Sequence, residues 1–362
     1  MIGTALSVLF AQLATCRVLP NGKRLSDGFL KLFELLAILP LVLIAGLRVN
    51  VGTDYATYEM AYEDPDLLAS HFGTGFMWLI YGLRWFSTNP RIFFVATSII
   101  IYATYAHIAI KESESAAFSV LFFVISEDFF VSMNVISQYT AMAFIWMSAV
   151  ALRKGKWKKS LILCIIASLF HQSALFFVVL IALYKMPLSI KKTSVLIILA
   201  CIAGFLGRKY LINIITTYSD YGDYFSSKYA GNQLSVALPM MLIYVVIFLT
   251  TLILGDQAAL ERRSECRIFM IATLLCVVVM ALSYVLTANA YRMTYNFIGI
   301  IGFYFPAVLK TFKTNKNRII VEAAVVVLFT IWTTMLITHN NQNAFPYSSI
   351  LQGCINTIKS IC

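Results

Sequence analysis

The sequence predicts an all-α polytopic membrane protein: about ten transmembrane helices plus a re-entrant helical hairpin, with its chemistry on the non-cytoplasmic side. Three observations predict it. The 362 residues are 60% hydrophobic and only 12% charged, against about 25% charged in an ordinary soluble domain. Apolar runs near or above the ~18 residues needed for a membrane span take up most of the length. The basic residues fall in short clusters between those runs, as topology signals do. The net charge of +11 therefore reads as sidedness, and a nucleic-acid partner is not expected. One integral membrane domain over 1–362 is expected, with no soluble domain.

The first apolar run, Ile2 to Ala14, lacks a basic leader and a clear small-residue cleavage site. It is expected to be a span and not a removed signal peptide. Cytoplasmic loops collect Lys and Arg. Six clusters do so here: Arg17 to Lys31, Lys111, Arg153 to Lys159, Lys185 to Lys192, Arg262 to Arg267, and Lys310 to Arg318. Spans are expected near 2–19, 29–47, 91–110, 116–133, 135–152, 193–212, 236–254, 268–288, 295–309 and 319–337. Ten crossings put both termini outside.

Residues 160–184 break the alternation. They are apolar, yet both flanks are basic. One crossing would place a basic cluster on the wrong side, and the segment is too short for two spans at ~20 residues each. A re-entrant hairpin with its tip at Phe170-His171-Gln172-Ser173 resolves both, and such a tip must line protein or a watery cavity. A single ordinary span is the alternative.

The large outer loop, 48–90, opens with Arg48 and continues through Gly52, Thr53, Asp54, Tyr55 and Tyr58. Gly52 can take positive φ or a close backbone approach, and Thr53 and Asp54 can cap a following helix. The loop is either a capped turn with a solvated carboxylate or a site. As a site, Arg48 would meet an anion, since its planar fork suits phosphate, and Asp54 would meet a sugar hydroxyl. Residues 75–86 read as an amphipathic interfacial helix with Trp78 and Trp85 at headgroup depth. A second outer loop, 213–235, holds Asp220 and Tyr221 among further tyrosines. It is either a sugar-stacking surface or an interfacial aromatic belt.

Ionisable groups at membrane depth are functional candidates because burying them is costly. Glu127 and Asp128 end the fourth expected span, Asn134, Ser137 and Gln138 open the fifth, and Arg292 lies between the eighth and ninth. Arg292 is either a ligand-binding cation or a structural partner of the two acids. The four histidines are scattered and no metal signature appears. Neither GxGxxG nor a Walker pattern is present, and the seven cysteines have no CxxC spacing.

At these residues the chain resembles a known family. RVNVGTDYATY resembles the R-x-x-x-GTDY-x-x-Y signature of the EpsG/Wzy-type polysaccharide polymerases. NVISQYTAMAF, a basic loop and LILCIIASLFHQSAL are similar to that family's N-x-x-RQ-x-x-A and A-x-x-FH-x-S-A-L. The late outer Arg292 is a third match. The ordered set spans most of residues 48–300. Two positions depart from the pattern: Ser137 stands where the family usually has arginine, and Thr74 where an acid often precedes Gly-Phe.

The resemblance implies a GT-C-like, lipid-carrier-dependent enzyme of the bacterial inner membrane. It would transfer a glycan from undecaprenyl diphosphate to a terminal sugar hydroxyl of another lipid-linked repeat, building O-antigen or a similar polysaccharide. Arg48 and Arg292 would hold the diphosphate, and His171 or Asp54 would take the hydroxyl proton. Gly52, Thr53, Tyr58, Asn134, Gln138, Asp220 and Tyr221 would contact substrate. The donor bond supplies the energy, so no cofactor is expected. The implied partners are lipid-linked oligosaccharides, the bilayer and a chain-length regulator. A flippase for the same lipids and a membrane acyltransferase with His171 as base are the rival readings.

Overall fold

The computed structural model describes residues 2–18, 24–210, 213, 217, 234–283, 288–340 and 342–350. Among them the regular structure is helical, with only isolated β-bridges besides. Among the described residues five helices are long and apolar enough to cross a membrane: Asp27–Gly46, Arg91–Glu112, Ala237–Leu254, Ser264–Ser283 and Asn315–Thr338. The chain is thus a multi-pass membrane protein. The count of ten is not confirmed: among the described residues several apolar runs form shorter or broken helices.

The chain divides into two compact units. The first comprises Met1–Ala151, Lys158–Leu175 and Val326–Cys362. In it α1 (Ile2–Leu13) packs on α2 (Asp27–Gly46). Gly3 lets them close, since a Cβ there would lie 3.0 Å from the Ile44 side chain. Gly46 performs the same service against the backbone of Val95 in α5 (Arg91–Glu112), a helix with a π-helical turn at Ile99–Ala103. Small residues at crossings are how helices in lipid gain packing contacts.

Between α2 and α5 lie two outer helices, α3 (Tyr55–Glu63) and α4 (Thr74–Phe86). α3 buries Tyr55, Tyr58 and Tyr62, which share one face at helical spacing, against Phe76, Phe93 and Phe94. Tyr55 stacks on Phe94 with centroids 4.5 Å apart. α4 buries Gly75, Phe76, Met77 and Ile80, while Trp78 and Trp85 are 68% and 88% exposed.

The expected span 116–133 is interrupted. α6 (Ala116–Ile125) starts at Ser115, whose Oγ accepts the Phe118 N–H, and it stops before Glu127. Glu127 has φ 65°, and a short helix, α7 (Asp128–Ser132), follows. A non-glycine residue in the left-handed region cannot continue a helix. α8 (Ile136–Arg153) and α9 (Trp157–Phe170) come next. Ser148 Oγ of α8 donates to the Ser160 carbonyl of α9 at 2.7 Å.

After α9 the chain passes through a 3₁₀ turn at Gln172–Phe176 into α10 (Phe177–Lys185). Within the first unit, Cys164 Sγ reaches the Ala174 carbonyl at 3.3 Å. Ten residues of continuous helix would separate those groups by about 15 Å, so the chain turns back at 171–176. Within the second unit, Lys185 at the end of α10 stands over the Trp157 ring.

The second unit comprises Leu152–Trp157 and Phe176–Val325. Its centre is α14 (Ser264–Ser283), against which α10, α11 (Ile190–Leu206), α12 (Leu234–Leu254) and α15 (Tyr295–Leu309) pack. All of α15 is buried, yet its length is well short of a full span. A short helix, α13 (Gln257–Arg262), precedes α14, and α16 (Asn315–Thr338) leads back to the first unit.

α4 is held against α9 backbone to backbone. A Cβ on Gly73, just before α4, would lie 2.3 Å from the Leu169 carbonyl oxygen. Gly73→Ala should therefore destabilise the protein by about 1–3 kcal/mol, read as a lower unfolding midpoint in detergent. On the exposed face, Gly82 has nothing within 4 Å. Gly82→Ala should raise the midpoint by the helix-propensity gain, about 0.5–1 kcal/mol. Equal midpoints for both variants would contradict this seating of α4.

Candidate functional site

Arg48 follows the end of α2 and is 1% exposed. Its guanidinium donates through Nε to the Val51 carbonyl at 3.2 Å, through Nη1 to the Ala45 carbonyl and through Nη2 to the Met133 carbonyl at 2.8 Å. Its carbon stands 4.9 Å from the centroid of the Phe94 ring. Burial lowers its pKa to about 10, so it is still a cation at neutral pH. The sequence suggested direct contact with diphosphate. In the structure the fork contacts three carbonyl oxygens and holds the loop after α2.

That loop is then fixed from two further sides. Gly52 has φ 108°, and a Cβ there would lie 2.4 Å from Asn134 Oδ1. Only glycine fits both demands. Its N–H donates to the Asn343 carbonyl at 2.9 Å, and Val49 N–H donates to the Ser348 carbonyl at 3.0 Å. The segment after α16 thus straps the loop. Asn134 Nδ2 reaches the Gln342 carbonyl at 3.0 Å and the Gln342 side chain as well. Arg91 closes the remaining side, with Nη1 donating to the Arg48 carbonyl at 3.0 Å and to Tyr55 Oη at 2.7 Å. Burial raises the Tyr55 pKa, and it keeps its proton for Glu59 Oε1 at 3.3 Å.

Thr53 is exposed and Asp54 half-buried. Asp54 is the N-cap residue of α3, but its side chain caps nothing. Instead Asp54 Oδ1 accepts from Thr53 Oγ1 at 3.0 Å. One turn on, Tyr58 Oη accepts the Ser137 N–H at 3.2 Å. The first N–H groups of a helix lack internal partners, so the signature loop supplies one to α8. From the next residue, Gln138 Nε2 donates to Ser173 Oγ at 3.2 Å. Ser173 Oγ lies 2.9 Å from His171 Nδ1, which also faces the Ser173 N–H at 3.3 Å.

The direction of this chain of contacts follows from its donors. An amide N–H₂ can only donate, so Ser173 Oγ accepts from Gln138 and turns its own proton to His171. A backbone N–H can only donate as well. His171 Nδ1 is then an acceptor, and in the neutral ring the proton resides on Nε2. His171 itself is half-buried at the turn between α9 and α10, next to Phe170, which stacks on Phe144 of α8.

The structure therefore brings Arg48, Gly52, Thr53, Asp54, Tyr58, Asn134, Gln138 and His171 into one connected region of the first unit. Arg292 stands exposed in a 3₁₀ turn, Ala288–Thr294, of the second unit. Asp220 and Tyr221 lie outside the described residues. Sequence reasoning missed three members. Ser173 sat inside the FHQSAL motif and needed only its spacing to His171. Arg91 was one of the basic residues left over after topology was assigned. Gln342 is 208 positions from its partner Asn134 and carried no local signal. Among the described residues, no group of three or more His, Cys, Asp or Glu side chains could hold a metal ion.

Because three carbonyls converge on a planar fork, Arg48→Lys should fail as badly as Arg48→Ala. Each orphaned buried acceptor costs about 1–3 kcal/mol. Both variants should show reduced amounts of folded protein in the membrane, measured by immunoblot and detergent extraction. Wild-type amounts of folded Arg48→Ala would return Arg48 to a direct ligand role.

A comparison with curated proteins and with solved structures finds no match. The model of the EpsG family matches residues 31–349, a stretch that contains every element of the region just described. On that match over most of its length, the chain belongs to the EpsG family.

Proposed function

We propose that the chain is a polysaccharide polymerase. It joins undecaprenyl-diphosphate-linked oligosaccharide repeats into O-antigen or a similar surface polysaccharide, on the outer face of the bacterial inner membrane. Family membership supports a polymerase-type role. The observation that carries the finer reading is the convergence of three motifs, distant in sequence, on one region through Tyr58, Gln138 and Ser173. Sidedness is supported by the strap: residues 348–350 pair with 47–49, so the signature loop and the carboxyl-terminal segment share one face. The turn at 171–176 serves as the tip of a re-entrant hairpin that lines the site.

In the reaction the bond from the donor sugar C1 to diphosphate oxygen breaks. A new bond forms from C1 to the acceptor hydroxyl oxygen. The hydroxyl proton must be removed, and negative charge collects on the departing diphosphate, whose stabilisation is the largest catalytic demand. The sequence left His171 and Asp54 as alternative bases. With Nδ1 already accepting two contacts, His171 suits the opposite duty: its Nε2–H donates to a departing phosphate oxygen. Asp54, half-buried and reaching water, takes the hydroxyl proton. Arg292 is assigned to the diphosphate, and Thr53 to the sugar. Arg48, Asn134 and Gln138 are buried and act by holding these groups in place. A chain-length regulator remains the proposed protein partner.

Deleting the gene and resolving surface polysaccharide by electrophoresis tests this. A strain lacking a polymerase keeps a single repeat unit and loses the ladder. Loss of even that unit would instead indicate the flippase, and an unchanged ladder would sink both. Asp54→Asn and His171→Ala should each lower ladder synthesis by about 10²-fold or more at unchanged protein level. Arg292→Ala should do likewise. A normal ladder in any variant removes that residue from the mechanism.

A further inference from the structure

The second unit carries a different feature at its basic end. Three loops meet there: the one before α11, the one between α12 and α13, and the one between α15 and α16. Gly255 pairs with Phe312 as an isolated bridge, Asp256 N–H donates to the Thr311 carbonyl at 2.9 Å, and Glu261 Oε1 accepts the Ile190 N–H at 2.6 Å. They enclose an open recess of about 460 Å³ lined by Lys191, Lys313, Asp256, Gln257, Leu252 and Ile253, with Gly255 and Ala258 between them. Small-molecule sites commonly measure about 300–1,000 Å³.

The recess favours an anion, because its two lysines outnumber the single carboxylate, Asp256. Each acid of this end already has a partner. Asp256 Oδ1 caps α13 through the Ala259 N–H at 2.7 Å, Glu261 holds Ile190, and Glu265 pairs with Arg263 at 2.7 Å. Lys191 and Lys313 are exposed, and neither is paired with an acid among the described residues. Lys192, Lys316 and Arg262 add to the positive field from the same loops. Gln257 Nε2 spends one of its two N–H groups on the Leu252 carbonyl at 2.7 Å.

The other wall is apolar. Leu252 and Ile253 end a helix apolar enough to cross a membrane, and Ile253 is 75% exposed. A soluble anion would gain nothing from that wall. A phosphodiester attached to acyl chains matches both halves: the phosphate meets the two lysines, and the chains run down α12. We propose that this recess is a binding site for the headgroup of an anionic phospholipid, with Lys191 and Lys313 on the phosphate. Basic pockets among membrane helices on the cytoplasmic side recognise such headgroups, and these loops are the ones the basic-residue rule assigns to that side. The site is independent of the polymerase reading.

Native mass spectrometry of the purified full chain, titrated with phosphatidylglycerol or phosphatidylcholine, tests the proposal. The wild type should retain one phosphatidylglycerol in preference to phosphatidylcholine. The double variant Lys191→Gln/Lys313→Gln should weaken that binding about thirtyfold, the effect of two cations beside an anionic headgroup. The control Lys192→Gln/Lys316→Gln, which removes equal charge from neighbouring positions that do not line the recess, should weaken binding far less. Three results would overturn the site: equal binding by the wild type and the first double variant, an equal loss in the control, or displacement of the lipid by millimolar inorganic phosphate.

Discussion

A guanidinium buried from water is expensive unless every donor direction finds an acceptor. Arg48 lowers that cost by placing each of its three nitrogens on a carbonyl, from the last turn of α2, its own loop and the turn before α8. The first unit is arranged around that requirement. To present Ala45 and Val51 together, the chain must turn sharply after α2. To bring Met133 within reach, α6 must end early and the backbone must pass through the left-handed residue Glu127. Phe94 covers the flat face of the cation, which fixes α5 as well. One side chain thus sets the relative positions of four elements.

The same logic of satisfying buried polar groups extends outward. α8 begins inside the protein, so its first N–H groups need partners that water would otherwise provide. Tyr58 supplies one. Asn134 cannot fit beside any residue larger than glycine at position 52, and the strap from beyond α16 takes up its amide. These contacts explain the spacing of the signature in physical terms. Tyr55 and Tyr58 lie on the same face of α3, one toward Arg91 and α5, the other toward α8.

Much of the helix content was legible in the sequence because apolar runs of sufficient length admit few alternatives. The turn at 171–176 was legible for another reason: basic residues on both flanks of one apolar run conflict with a simple crossing. What was not read was the interruption of the run 116–133, although Ser126, Glu127 and Asp128 stand inside it. The helix stops at this polar stretch, Glu127 takes φ 65°, and Arg48 meets the Met133 carbonyl beyond the break. Nor could the pattern tell whether Arg48 faces inward or toward solvent, since an arginine at a helix end is compatible with both. Gln342 was illegible in principle, being joined to Asn134 only through the folded chain.

The division between frame and working groups also bears on Ser137. An arginine at that position, as the family pattern has it, would bring a cation to the start of α8. Serine brings none, and the Ser137 backbone is engaged with Tyr58 instead. On the proposed reaction, a site without that cation would have to meet the charge on the leaving diphosphate by other means. The contacts at the turn offer one. Gln138 donates to Ser173, Ser173 to His171 Nδ1, and the imidazole is left with its proton on Nε2. A hydrogen-bond donor held in this way stabilises developing negative charge without needing to be ionised. On the proposed reaction, fixing that ring would serve the step an arginine would have served, and would leave Asp54 as the proton acceptor.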